Sequence, residues 1–352
     1  MSEPNSNMET QPQMLAPAIP TYIQPAPARG GGGMLRGLVI MIALLGIIGS
    51  LAVAGAYYVG SSLVGGTDAR VEEVYHSGNL NSLHKIAIVP VEDMIIDSTA
   101  RHVISAIKAA SEDEHVMAVV LKVDSPGGTI SASDHIYRKV KELCRGPGDR
   151  KPVVVSMQGL AASGGYYISA PANRIFAERT TMTGSIGVIA SFPNFSGLMM
   201  DFKIGMEVIK TGPMKDSGSM FRPMSDDERR RWQEIIGDAF ETFLGVVQEG
   251  RNMSMEDVRR LATGEVYTAR EAAQNGLVDE IGYLEDAIAS AEKLAGVSDS
   301  KVIEYKKPMS LTDILFGSTS ARRTSAAMEL ESLLRANVPR VMFLTQASGL
   351  EL

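Results

Sequence analysis

Pro152-Val153-Val154-Val155-Ser156-Met157-Gln158-Gly159-Leu160-Ala161-Ala162-Ser163-Gly164-Gly165-Tyr166-Tyr167 reads as an apolar strand running into a turn of small residues. The strand is expected over Val153 to Met157, with a helix from about Ala162 to Ala170. Alanines and glycines on both sides of Ser163 let the backbone turn sharply and let a carbonyl approach the hydroxyl. Ser163 is therefore a candidate nucleophile, and a serine hydroxyl needs a base at neutral pH. The five histidines (His76, His84, His102, His115 and His135) all precede it, and His102 and His135 fall in helix-like segments as packing or surface residues. The next candidate base is Lys215, in the turn-rich run Lys210-Thr211-Gly212-Pro213-Met214-Lys215-Asp216-Ser217-Gly218, after a strand-like Met206 to Ile209. To accept a proton its amine must fall from about 10.4 toward about 7 or 8, which burial in an apolar site achieves.

Around that stretch, strands alternate with helices. Lys85 to Val91 and Val116 to Val123 read as strands, Thr99 to Ala110 and Ser131 to Cys144 as helices. Such alternation implies crossover units and a largely parallel sheet covered on both faces, an α/β fold. Sheets of this kind bind ligands at their carboxyl edge, where Ser163 falls. Ser225-Asp226-Asp227-Glu228 is a capping box opening a long helix to about Gly250, and Thr268-Ala269-Arg270-Glu271 opens another. Ser125-Pro126-Gly127-Gly128 reads either as a plain strand-ending turn or as exposed backbone N–H groups for an oxyanion.

Taken together, the motifs resemble the signal peptide peptidase A family, membrane-bound Ser/Lys proteases of the short bacterial type. Asp124-Ser125-Pro126-Gly127-Gly128, Ala161 through Tyr167, Thr183-Gly184-Ser185-Ile186-Gly187-Val188 and Lys210 through Asp216 match in order. Gly264 through Ala272 and Gly276-Leu277-Val278-Asp279-Glu280-Ile281-Gly282 resemble the late segment, so the likeness spans about residues 85 to 300. The resemblance implies a ClpP/crotonase-like spiral fold, Ser163 as nucleophile, Lys215 as general base and Ser185 as the residue that holds the lysine. It also favours Gly128 as an oxyanion donor. The N–H of Gly164, just after the nucleophile, is the second candidate. No cofactor is required, and no cysteine–histidine cluster suggests a metal. The implied substrates are leftover signal peptides and similar hydrophobic peptides, and the implied assembly is a ring-like homo-oligomer.

Residues 1–34 are rich in Pro, Gln, Asn and Ala and are expected to form a disordered cytoplasmic tail. Residues 35–60 are expected to form a transmembrane helix. The uncharged run Gly37 to Val59 makes about 35 Å of helix, enough to cross a hydrocarbon core of about 30 Å. Arg29 and Arg36 precede it and Asp68 is the first charge after it, which places the catalytic bulk outside the cytoplasm, against the lipid bilayer. A linker at 61–84, a protease domain at 85–300 and an extension at 301–352 complete the expected organisation. The formal charge of −7 lies wholly beyond residue 36 and argues against a nucleic-acid partner. The single cysteine, Cys144, reads as a small buried hydrophobe.

The methionines Met182, Met199, Met200, Met206, Met214 and Met220 read mainly as core filling, or as an adaptable lining for apolar peptides. The tail beyond Lys306 carries a helix-like run, Ser325 to Ala336, and an apolar segment, Val341-Met342-Phe343-Leu344. That segment either packs on the domain surface or docks in the substrate groove of its own or a neighbouring protomer. Two rival functions share the scaffold. A crotonase-type acyl-CoA enzyme would use the glycine turns but has no need for Ser163 with Lys215. A non-catalytic membrane scaffold would be expected to have lost that pair.

Overall fold

The computed structural model describes residues 71–145, 150–308 and 342–344, together with Met41. The chain divides into two compact units, Met1–Thr67 and Asp68–Leu352, and all described residues except Met41 belong to the second. The expected cytoplasmic tail, transmembrane helix and C-terminal helix-like run lie outside the described residues. Among the described residues no helix is long and apolar enough to cross a membrane.

The first half of the unit is built from β1 (Glu72–Gly78), β2 (Lys85–Glu92), α1 (Asp97–Glu112), β3 (Val116–Ser125), β4 (Gly127–Thr129), α2 (Ile130–Arg145) and β5 (Val153–Ala162). It continues through α3 (Gly164–Ser169), β6 (Arg174–Ala177), β7 (Met182–Gly184) and α4 (Ser196–Asp201). The remainder is α5 (Asp226–Arg251), α6 (Met255–Leu261), β8 (Val266–Thr268), α7 (Ala269–Gln274), β9 (Glu280–Ile281), α8 (Leu284–Ala295), β10 (Lys301–Lys306) and β11 (Met342–Leu344). The main sheet runs β1-β10-β2-β3-β5-β6-β9, with β7 beside β5 and β8 beside β7. From β10 to β9 every pair along that path is parallel. The expected α/β fold with a largely parallel sheet is thus the observed one.

Alternation along the strands sorts the core into two layers. Ala87, Val89, Val119, Leu121, Val153 and Val155 face one side, in the cluster that includes residues of α1, α2, α3 and α5. Ile86, Ile88, Ala118, Val120 and Val154 face the other, against Ala287, Ile288 and Ala291 of α8. Successive side chains point to opposite faces, so a strand covered on both sides carries apolar residues in succession, as Ile86–Val89, Val119–Leu121 and Val153–Val155 do. Each fully buried valine or isoleucine contributes about 1.5–3 kcal/mol relative to an exposed one. The long helix α5 starts at the expected capping box, with Ser225 accepting from the Glu228 N–H and the Glu228 side chain accepting from the Ser225 N–H. The box at Thr268 and Glu271 starts α7 in the same way.

Three expectations are corrected. Strand β1 falls in the stretch assigned as linker and β10 in the stretch assigned as extension, yet both belong to the sheet. β1 is exposed along most of its length, and β10 is held by parallel pairing to β2, a long-range contact that local composition does not announce. Met206 to Ile209 is not a strand; the segment pairs with no other strand, with Ile209 98% exposed. The methionines of this region do not fill the core, since Met182, Met200, Met206 and Met214 are all exposed.

Candidate active site

β3, β5 and β7 end together at one edge of the sheet. β5 and β7 are parallel, with Ala161 opposite Thr183 and Ala162 opposite Gly184, so Ser163 and Ser185 are the next residues on adjacent strands. Ser163 caps α3 with φ 53° and ψ −113°, and Ser185 has φ 48°. Non-glycine residues in the left-handed region are uncommon and are retained where the surroundings over-determine them. Here the Ser163 N–H donates to Gly184 O at 2.7 Å, and its carbonyl accepts from Tyr167 N at 2.8 Å. The Ser185 N–H donates to Glu265 O at 2.7 Å. Thr183 Oγ1 ties the two strands by donating to Ala161 O at 2.7 Å.

The glycine turn closes against the same spot. The Gly127 N–H donates to Ser125 Oγ at 3.1 Å, and β4 is pinned to Ile95 by Ile95 N to Gly127 O at 2.8 Å and Thr129 N to Ile95 O at 2.9 Å. A Cβ on Gly164 would sit 3.1 Å from Gly128 N and 3.1 Å from Gly127 Cα. Gly128 and Gly164, the two expected oxyanion donors, are therefore neighbours. Gly164 opens α3, and first-turn N–H groups have no acceptor within their own helix. On the other side of α3, Tyr166 donates to Leu277 O at 3.0 Å and Tyr167 to Asp134 at 2.8 Å. Burial raises both phenols well above their ordinary range. They anchor the turn and stay protonated.

Ser163 itself is fully buried, and its Oγ has no hydrogen-bond partner. No histidine reaches it. Lys215 is exposed, and although its backbone N–H donates to Gly212 O at 3.2 Å, its amine makes no hydrogen bond or ion pair among the described residues, so this chain does not join it to Ser163 or to Ser185. The apolar burial expected around it is not supplied by the described part of the same chain. The neighbouring Lys210, by contrast, is fully committed, donating to Asp216 at 2.6 Å and to Pro213 O at 3.0 Å.

A clamp that sequence reasoning missed fixes the lysine loop. Arg222 donates from Nε and Nη2 to the Asp216 carboxylate at 2.9 and 2.8 Å, and from Nη1 and Nη2 to Glu228 at 2.8 and 2.5 Å. Hydrogen bonding from Arg222, and then from Lys210, holds the Asp216 carboxyl far below the usual carboxylate range. The Arg222 bonds bring Glu228 down to about 2. The one readable hint was Glu228, already marked by the capping box; nothing local pairs Arg222 with it.

The tail segment meets the glycine turn. β11 pairs antiparallel with β4, with Met342 opposite Thr129, Phe343 opposite Gly128 and Leu344 opposite Gly127. Met342 to Leu344 thus pair, backbone to backbone, with the strand that carries Gly128.

A family model described as Clp protease matches residues 71–210, and one described as peptidase family S49 matches residues 148–298. A putative protease of Methanocaldococcus jannaschii is 41% identical over 206 residues, covering 58% of this chain and 65% of that protein. A putative signal peptide peptidase SppA of Enterococcus faecium is 38% identical over 255 residues, covering 68% of this chain and 72% of that protein. Protease 4 of Haemophilus influenzae is 36% identical over 231 residues, and this chain spans 37% of its length. Parallel strands that end at a serine turn, with this likeness, define a serine protease of the ClpP-like α/β type. The chain belongs to peptidase family S49, the signal peptide peptidase A family.

Proposed function

We propose that this protein is a membrane-anchored endopeptidase that uses a Ser163/Lys215 dyad to degrade residual signal peptides and similar hydrophobic peptides at the membrane surface. The observation that carries the reading is Ser163 itself: buried, strained, unpartnered, and beside Gly128 and Gly164. Ser163 Oγ attacks the scissile carbonyl while neutral Lys215 takes its proton and then passes it to the leaving amine. Water hydrolyses the resulting acyl-enzyme by the same route in reverse. The Gly128 and Gly164 N–H groups receive the oxyanion, and Ser185 orients the lysine. A peptide enters extended and adds to β4 as β11 does, so main-chain bonds hold it regardless of side chain. The apolar run Gly37 to Val59 anchors the chain, with the tail before it in the cytoplasm and the protease outside.

Lys215 serves the Ser163 of a neighbouring chain. Its exposure in the single chain supports this, as does the exposed apolar run that precedes it in the chain. Phe195, Leu198, Met200, Phe202, Ile204 and Ile209 are all exposed in that run, beyond what a monomer scatters singly over its surface. Packing a second copy on that surface removes water from the lysine.

The test uses the full-length chain in detergent with an apolar fluorogenic peptide. Ser163→Ala is expected to lose about 10⁶-fold in kcat, and Lys215→Ala a comparable factor, because members of one catalytic unit are non-additive. If Lys215→Ala keeps near-normal turnover, the dyad is wrong. Intact mass of the same samples reads the tail: loss of residues beyond β11 in the wild type but not in Ser163→Ala marks self-cleavage. The acyl-CoA alternative gives no role to a strained, unpartnered serine.

A further inference from the structure

Among the described residues, four buried side-chain polar atoms lack a hydrogen-bond partner: His102 Nδ1, Ser133 Oγ, Ser163 Oγ and Tyr305 OH. Two of these are serine hydroxyls at the same glycine. Ser163 precedes Gly164 in the chain, and Ser133 Oγ lies 2.6 Å from the position a Gly164 Cβ would take. Gly128 N lies 3.1 Å from that same position. Ser133 is fully buried near the start of α2, directly after β4.

Several other buried hydroxyls near the site are bonded. Ser125 accepts from Gly127 N, Ser156 accepts from Gln158, Thr181 donates to Met157 O and Thr183 to Ala161 O. Ser169, on α3, donates back to Gly165 O at 2.7 Å, the usual resort of a serine inside a helix. Ser133 does not take the equivalent bond to its own preceding turn. A buried hydroxyl without a partner forfeits its hydration with nothing in return, so a fold keeps one where something else completes it. The nucleophile is one such case. Ser133 shares its surroundings.

Given the proposed Ser163 chemistry, on which this reading rests, we infer that Ser133 is a third oxyanion donor, contacting the reacting oxygen beside the N–H groups of Gly128 and Gly164. When Ser163 Oγ bonds to the carbonyl carbon, the C=O π pair moves onto oxygen and the serine proton goes to Lys215. The Ser133 O–H rotates to donate a hydrogen bond to that oxygen and keeps its own proton. As the C–N bond breaks, the pair returns to the carbonyl, the amine leaves with the proton from Lys215, and Ser133 is released. The position near the helix start adds the positive end of the α2 dipole on the same side.

The full-length chain carrying Ser133→Ala is expected to lose about 10²-fold in kcat with little change in KM, the scale of removing one oxyanion donor. Its thermal midpoint should stay level or rise, because no folded-state hydrogen bond is lost. Affinity for a peptide aldehyde, whose hemiacetal places a charged oxygen in this position, should fall by the same factor as kcat. Unchanged kcat overturns the inference. A fall in kcat that tracks a lowered thermal midpoint, with aldehyde affinity of the folded fraction intact, also overturns it. Ser163→Ala measured beside it separates the two levels: if that variant still turns over, the nucleophile assignment fails. If it is inactive while Ser133→Ala is fully active, only the third donor fails.

Discussion

A methyl group on Gly128 would sit 1.9 Å from the Ile95 carbonyl oxygen and 2.5 Å from its carbon. Both are backbone atoms fixed by the bonds that pin β4, so the strand must shift to make room. Gly128→Ala is expected to cost about 1–3 kcal/mol of stability, as overpacking does. Because the Gly128 N–H moves with the strand, kcat should fall by about 10²-fold or more. Gly245→Ala is the control, since a Cβ there meets nothing within 4 Å. It should leave turnover unchanged and match or slightly raise the wild-type thermal midpoint. Equal behaviour of the two variants in thermal unfolding and peptide hydrolysis would contradict the tight fit at β4. At this scale the sequence was informative: a Gly-Gly after Ser-Pro announces a turn, and the Gly128 assignment follows from the resemblance. It could not announce Ile95, which lies far away in the chain.

At the level of elements, the segment between β7 and α5 is held by charge rather than by a core. Arg222 joins Asp216, beside Lys215, to Glu228 in the first turn of α5. Both carboxyls titrate lower in the folded chain than their ordinary values of 3.8 and 4.5. The unfolded chain therefore binds more protons in acid, and their contribution is fully present above about pH 4.5. That contribution declines as pH falls toward the folded value of about 2 for Glu228. Thermal unfolding of the wild type should show a midpoint that drops from about pH 5 downward. Arg222→Gln should lower the midpoint at pH 7 and flatten the acid decline, because the carboxyls then return toward their ordinary values. An identical acid profile in the variant would show that the clamp carries no stability. A second arginine–carboxylate contact lies at the far end of α5, where Arg251 donates to Asp279 at 2.7 Å and to Gly276 O at 3.1 Å.

For the whole molecule, the exposed apolar run from Phe195 to Ile209, with Ser163 buried and Lys215 exposed, motivates the proposed heterologous contact with the next copy. The helix α5 repeats the division. Phe243, Leu244 and Val247 pack into the core, while Trp232, Ile235, Ile236 and Phe240 are only partly buried. Full-length chain in detergent should therefore scatter light as a homo-oligomer. Mixing the inactive Ser163→Ala and Lys215→Ala chains, dissociated and reassembled together, should restore about one quarter of wild-type turnover, the share of contacts that unite both intact residues. No recovery from a verified mixed oligomer would place Lys215 with its own Ser163. An active, strictly monomeric chain would remove the assembly altogether.

Sequence by itself determined the α/β class, the strand that delivers Ser163, both capping boxes and the family, because each is written locally as apolar alternation, turn residues or motif order. Tertiary structure alone decided that β1 and β10 extend the sheet, since strand pairing depends on partners more than two hundred residues away in the chain. It alone decided that Met206 to Ile209 stays unpaired, although its composition suits a strand. The same holds for the site. Ser163, Gly128 and Gly164 were legible as small residues at strand ends. The unpaired hydroxyl of Ser133 and the Arg222 clamp were not, because whether a buried polar atom finds a partner is fixed by three-dimensional packing and leaves no trace in residue order.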